Sequence, residues 1–201
     1  MLKQIASILE DKIYNSLKEQ VEKYSSLTAE EWSSFSSYWE PCTFRKNQYM
    51  TKAGQVENWF YFVYDGVLRL YAAKDGEEIN AGFTYNNDFS GEYASFLSQE
   101  PTEFYIQAIT DCSLLRISYK NLMYMFDELK CIERFGRQFN AKILIDMAKR
   151  QLESRSFTAE EKYKRLLTQS PHILQLVPQK HLASYLGMTP ETFSRLRAKV
   201  R

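Results

Sequence analysis

Glu191, Thr192, Ser194, Arg195, Arg197 and Lys199 lie in a short stretch near the C-terminus, spaced so that a helix turns them away from Phe193 and Leu196. Those side chains suit one chemistry. A guanidinium can be bidentate to guanine, a glutamate can accept from cytosine N4, and threonine and serine hydroxyls suit phosphates or bases. Just upstream, Leu182, Ala183 and Leu186 are spaced as the buried face of a first short helix, with alanine small where a second helix crosses closely. Gly187 stands where the chain needs a positive φ to turn sharply. Met188 is expected to fill the gap between the helices. Thr189 can cap the second helix, and Pro190 suits its first position because that amide has no intrahelical partner. The conjunction predicts a helix-turn-helix that reads DNA; the plain alternative is a helical hairpin with a polar surface.

Charge points the same way. The 201-residue chain carries +1 overall, yet residues 149–201 hold 11 Lys+Arg against 4 Asp+Glu, whereas residues 1–148 hold 15 against 21. A basic piece joined to an acidic one suggests a nucleic-acid-binding module attached to something that does not bind nucleic acid. Chance clustering on solvated faces is the competing explanation.

Other chemistries find little support. His172 and His181 are the only histidines and both lie in the C-terminal part, so a metal site built from strand histidines is not expected. Cys42, Cys112 and Cys131 are far apart, form no CxxC pair and have no histidine close in sequence, which leaves neither a nucleophile nor the four thiolates of an iron–sulfur cluster. No enzyme is expected, and no cofactor is identified. Without a run of eighteen apolar residues or a signal peptide, the expected location is cytoplasmic, away from any membrane.

The elements that position these residues follow from periodicity. Residues 2–23 carry Ile5, Ile8, Leu9, Ile13, Leu17 and Val21 at helical spacing, and Thr28-Ala-Glu-Glu31 is a capping box opening a helix through Trp32, Phe35 and Trp39. From Cys42 to Ile117, short aromatic and β-branched runs (Trp59–Tyr64, Val67–Tyr71, Ile79–Phe83, Tyr105–Ala108, Leu114–Ile117) alternate with turn signals at Ala53-Gly54, Asp65-Gly66, Asp75-Gly76 and Asn86-Asn87-Asp88, predicting a sandwich or barrel. Trp59–Phe62 should pack both faces of a strand, with one or two of them available to a ligand pocket. Arg69 is expected either at a solvated strand position or as an anion partner in that pocket. Ser118 is an N-cap for a short helix with Leu122, Met125 and Phe126. A long helix then carries Ile132, Phe135, Phe139, Ile143 and Met147, a stripe that needs a partner: the β-domain, a second copy of the chain, or both. The apolar pattern breaks at 154–157, and Thr158-Ala-Glu-Glu161 is a second capping box.

"HLASYLGMTPETFSRLR" behind a short-stranded domain and a long helix resembles the Crp/Fnr family of bacterial regulators, over nearly the whole chain. Phe89-Ser-Gly-Glu92 followed by Ala94–Leu97 looks like the family's phosphate-binding cassette, and Leu115–Tyr119 like the strand leading to its dimer helix. The resemblance implies an α+β chain with three parts. Residues 1–128 would be a cyclic-nucleotide-binding-like β-roll (a double-stranded β-helix) with flanking helices, 129–153 a long dimerisation helix, and 154–201 the helix-turn-helix. The sequence ends at Arg201, so the family's usual wing hairpin is not expected. The partners implied are double-stranded DNA at a pseudo-palindromic site, a second copy of the chain, and RNA polymerase. The DNA-contacting residues would be Thr189, Glu191, Thr192, Ser194, Arg195, Arg197 and Lys199, with Pro190 standing where some members have arginine. Gly91, Glu92, Tyr93, Thr102 and Glu103 would line the effector pocket. Eleven residues after the cassette glycine, cyclic-AMP binders carry Arg followed by Ser or Thr; here Thr102 and Glu103 stand there, offering a carboxylate and no positive charge. Met147 and Ala148 fall at the adenine-contacting positions. Cyclic AMP is therefore not the expected effector. The competing reading is a small-molecule-binding signalling module whose degenerate helix-turn-helix makes protein contacts.

Overall fold

In the computed structural model, which describes residues 2–199 and side chains from Asp11 onward, Thr28 and Thr158 begin helices in the same way. Each hydroxyl accepts from the backbone N–H three residues on, and the glutamate there accepts from the threonine N–H. The described elements run α1 (Leu2–Glu22), α2 (Ala29–Ser36), β1 (Glu40–Phe44), β2 (Tyr49–Thr51), β3 (Trp59–Asp65), β4 (Val67–Lys74), β5 (Glu77–Tyr85), β6 (Asp88–Ser90), α3 (Tyr93–Ser98), β7 (Phe104–Ala108) and β8 (Cys112–Ser118). They continue with α4 (Tyr119–Glu128), α5 (Lys130–Ser156), α6 (Ala159–Gln169), α7 (Ile173–Leu176), α8 (Gln179–Tyr185) and α9 (Pro190–Lys199). Ile13, Leu17 and Val21 are buried as expected. The side chains of Ile5, Ile8 and Leu9 lie outside the described residues.

Two antiparallel four-stranded sheets, ordered β1-β8-β3-β6 and β2-β7-β4-β5, form the β-roll. Strand β3 is buried on both sides, and its side chains divide by parity. Phe60 and Phe62 join Leu115 and Ile117 in a core shared with α1, α2, α4 and α5; Tyr61 and Val63 join Leu68, Ile106 and Leu114 between the sheets. That is the two-faced packing the aromatic run predicted.

Helix α5 explains why its stripe had two possible partners. Ile132, Phe135 and Phe139 pack into the chain's own core, where Phe139 meets Phe60, Phe89, Tyr93 and Tyr24. Gly136 makes that approach possible, since a Cβ there would sit 2.6 Å from the Phe126 ring of α4. Ile143 is half-buried. Beyond it the apolar side chains leave the core: Leu144 is 70% exposed, Met147 63% and Leu152 66%. The helix also runs to Ser156, three residues beyond the expected end at 153, because the exposed polar residues 154–156 continue it without any apolar partner.

Helices α6–α9 close over Tyr163, Leu166, Ile173, Val177, Leu182, Ala183 and Phe193, and this core also takes in Val67, Phe83, Tyr85 and Ile109 from the β-roll. Among the described residues no helix is long and apolar enough to cross a membrane.

Candidate nucleic-acid interface and sensor cavity

The helix-turn-helix is assembled by the residues that encode it. Leu182, Ala183 and Phe193 are fully buried, Leu186, Met188 and Leu196 half-buried, and Gly187 turns the chain at φ +67. The Met188 and Gly187 N–H groups close the end of α8 on the Ala183 and Ser184 carbonyls, both at 3.0 Å. Thr189 caps α9, its hydroxyl accepting from Thr192 N–H at 3.3 Å. The outward side of α9 presents Glu191, Ser194, Arg195 and Lys199 fully, with Thr192 and Arg197 half-buried. Arg195 donates to the Thr192 hydroxyl at 3.2 Å, which holds the guanidinium along the helix surface. Lys199 is less free than its spacing suggests, since its ammonium bonds Glu160 of α6 at 2.7 Å. Lys199 and Lys164 together push the Glu160 carboxyl down to about 2. Glu191 is also held low, by its own backbone N–H and by Thr189, and so stays a charged acceptor.

The cassette region borders a cavity of about 350 Å³ between the β-roll and α5. Gly91 and Tyr93 line it, as do Phe60, Leu68, Ile106, Phe139, Met147 and, from α5, Lys142, Asp146 and Arg150. Lys142 bonds Asp146 at 2.5 Å, and that hydrogen bond raises the lysine's pKa. Tyr93 donates to Asn140 at 2.6 Å, and burial pushes its hydroxyl up to about 12. Three of the expected pocket residues sit elsewhere. Glu92 is 6% exposed and turned inward, its carboxylate accepting from Ser95 N–H at 2.9 Å as the cap of α3. Thr102 is buried under the loop at 54–55, its hydroxyl accepting from Phe104 N–H, and Glu103 is exposed outside the cavity. A second carboxylate, Glu57, lies beside Glu92 at 2% exposure, bonded by the Thr51 hydroxyl and by Trp59 N–H. Burial raises the Glu57 pKa most, and the nearby Glu92 charge adds to it. The start of α3 is therefore occupied by the chain's own carboxylates.

Arg69 corrects both expectations for it. It borders the sensor cavity but is 5% exposed with its donors all engaged, so it is neither solvated nor free to pair with an anion there. It pairs with Glu78 at 2.6 and 3.1 Å, donates twice to Gln107 at 2.9 and 2.6 Å, reaches His181 Nδ1 of α8 at 3.1 Å, and stacks over Tyr71 at 4.0 Å. Ser184 of the same helix completes the junction, accepting from Asn80 N–H at 3.0 Å and donating to the Glu78 carbonyl at 2.9 Å. Burial first, then the Arg69 charge, push the His181 imidazole down to about 4. Sequence spacing could not reveal this network, whose β-roll and α8 members are over a hundred residues apart. An isolated arginine in an apolar strand was its only trace.

Comparisons with known proteins agree with this architecture. The model of the cyclic nucleotide-binding domain family matches residues 41–128. The CRP-like protein Clp of Xanthomonas oryzae is 26% identical over 100 residues, 46% of this chain and 44% of its own length, so the match spans less than half of that relative. Among solved structures, FixK2 from Bradyrhizobium japonicum superimposes with a TM-score of 0.73 at 19% identity, covering 81% of this chain and 84% of that one. A chain described as a Crp/Fnr-family regulator from Eubacterium rectale gives 0.65 at 17% identity, covering 86% and 83%. Residues 41–128 are thus similar to the cyclic nucleotide-binding domain family, and the chain as a whole shares the fold of these solved regulators.

Proposed function

We propose that the chain is a sequence-specific DNA-binding transcription regulator of the Crp/Fnr type, acting in the cytoplasm as a homodimer and without enzymatic activity. The observation that carries this reading is the outward side of α9. Glu191, Ser194 and Arg195 are exposed on a helix whose inner side is fixed by Phe193 and the Thr189 cap. The basic balance of the surrounding residues supplies the sequence-independent attraction to phosphate. Lys199, tied to Glu160, contributes to that attraction only after exchanging one partner for another.

Leu144, Met147 and Leu152 supply the second element of the reading, apolar side chains of α5 that stay 63–70% exposed in the protomer. Pairing two copies there would present two α9 helices to successive major grooves, about 34–36 Å apart on a pseudo-palindromic site. Cyclic AMP is not the effector in this reading, because Thr102 and Glu103 stand where cyclic-AMP binders carry Arg followed by Ser or Thr, and neither supplies a cation.

Selection of genomic fragments by the purified chain, followed by a salt titration, tests the reading. Specific binding that weakens steeply with salt is expected. Arg195→Ala should relax base preference at a cost of about 1–3 kcal/mol on the selected site. Binding indifferent to salt, or an Arg195→Ala variant that discriminates as the parent does, would favour the signalling module whose α9 serves protein contacts.

A further inference from the structure

Glu191 and Arg195 of α9 are four residues apart with the glutamate on the N-terminal side, the order in which a helix favours an ion pair. Both side chains are exposed, yet among the described residues no ion pair joins them. Each is held by a different threonine instead. Glu191 bonds its own backbone N–H and the Thr189 side chain, which keep its carboxyl below the usual range, and the Arg195 charge adds less than either. Arg195 donates from Nη2 to the Thr192 hydroxyl at 3.2 Å. Its remaining N–H groups have no partner among the described residues. Thr192 is a firm anchor. It is half-buried, β-branched and so stiff about χ1, and its backbone N–H is tied to the Thr189 hydroxyl at 3.3 Å by the helix cap. The two hydroxyl oxygens stand 3.3 Å apart.

We propose that Thr192 is a positioning residue for DNA reading, its hydroxyl holding Arg195 out of an ion pair with Glu191 and ready to meet a base edge. This rests on the DNA-binding reading and adds to it a residue that sets specificity through another. Were Glu191 and Arg195 paired, the acceptor and the donor that read different bases would satisfy each other before DNA arrived. A neutral hydroxyl fixes the guanidinium without cancelling its charge, so the full charge stays available to guanine or phosphate. Ordering the long side chain beforehand also removes part of the entropy that binding would otherwise cost.

The test is a double-mutant cycle on the full chain, with the site recovered by genomic-fragment selection and a panel of its single-base-pair variants as probes. Arg195→Ala should lose discrimination at one base pair, which identifies the pair that Arg195 reads. Thr192→Val keeps the shape and drops the hydroxyl. It should lose about two- to tenfold of discrimination at that same pair and discriminate elsewhere as the parent does. Thr192→Ser should restore the loss, and in the Arg195→Ala background Thr192→Val should change nothing further. A Thr192→Val variant that discriminates as the parent does, while Arg195→Ala does not, overturns the proposal and leaves the DNA-binding reading standing. A loss spread evenly over all sites, or one that persists beside Arg195→Ala, also overturns it, because the hydroxyl would then bond the DNA itself. A parent with no preference among base pairs overturns the DNA-binding reading, and the proposal with it.

Discussion

His181 shows how one side chain can make the junction sensitive to pH. Arg69 donates to its Nδ1, so the ring must be neutral there, with its proton on Nε2. The groups facing it are Arg69 from β4, Glu78 from β5 and Lys180 on its own helix. Glu78 is held below its usual range by Arg69 and so stays charged. A folded-state value of about 4 against an ordinary 6.5 means that the unfolded chain binds the proton more readily. The stabilisation is present above about 6.5 and is lost as pH falls toward 4. Thermal melts at pH 7.5 and 4.5 should show a larger drop for the parent than for His181→Gln, which keeps an acceptor and cannot titrate. Equal drops in the two proteins would remove His181 from the pH dependence. Sequence gave no hint of this role, because Arg69 lies 112 residues from its imidazole partner.

Helix α5 carries one apolar stripe in two environments, buried in its first half and exposed in its second. Phe135 is 1% exposed in the β-roll core, whereas Leu144 and Leu152 are 70% and 66% exposed. Replacing Phe135 by Ala should cost about 3–5 kcal/mol through the cavity it leaves. Leu144→Glu with Leu152→Glu should leave the melting temperature of the protomer nearly unchanged and convert the proposed dimer to monomer by light scattering. A double variant that stays dimeric would place the interface off this face of α5. The sequence showed the stripe clearly but not where it changes surroundings, since only the fold brings Tyr24, Phe60, Phe89 and Tyr93 over Phe139 while Met147 stays exposed. The strands were legible to the same degree. Runs such as Phe60–Val63 announced themselves, while β2 and β6, three residues each, and β1, which contains Pro41, were too short or too irregular to show a period. At the candidate sites, the face of α9 was legible because its residues are neighbours in sequence. The junction of Arg69 with His181 was not, because the two meet only across the fold.

On the scale of the molecule, the question is whether the basic and acidic halves behave as one body. The core of α6–α9 borrows Val67, Phe83, Tyr85 and Ile109 from the β-roll, and Phe83 meets Tyr185 edge-on at 5.5 Å. Tyr85 adds a contact with His172 at 4.8 Å and a hydrogen bond to Ser170 at 2.5 Å. Among the described residues no ion pair joins the β-roll strands to α6–α9, so their opposite charges act only at a distance, which salt screens within about 8 Å at physiological ionic strength. Apolar contact and short hydrogen bonds therefore dominate the junction. The chain should unfold in a single transition whose midpoint moves little between low and high salt, in contrast to the proposed DNA binding. Tyr185→Ala, losing a half-buried ring, should cost about 1–3 kcal/mol and separate the helix-turn-helix from the β-roll into two calorimetric transitions. The same variant should be cut faster by protease at the exposed Phe157 joint between α5 and α6. Two transitions already present in the parent, or a parent midpoint that falls steeply with salt, would mean that long-range charge, not the shared core, holds the halves together.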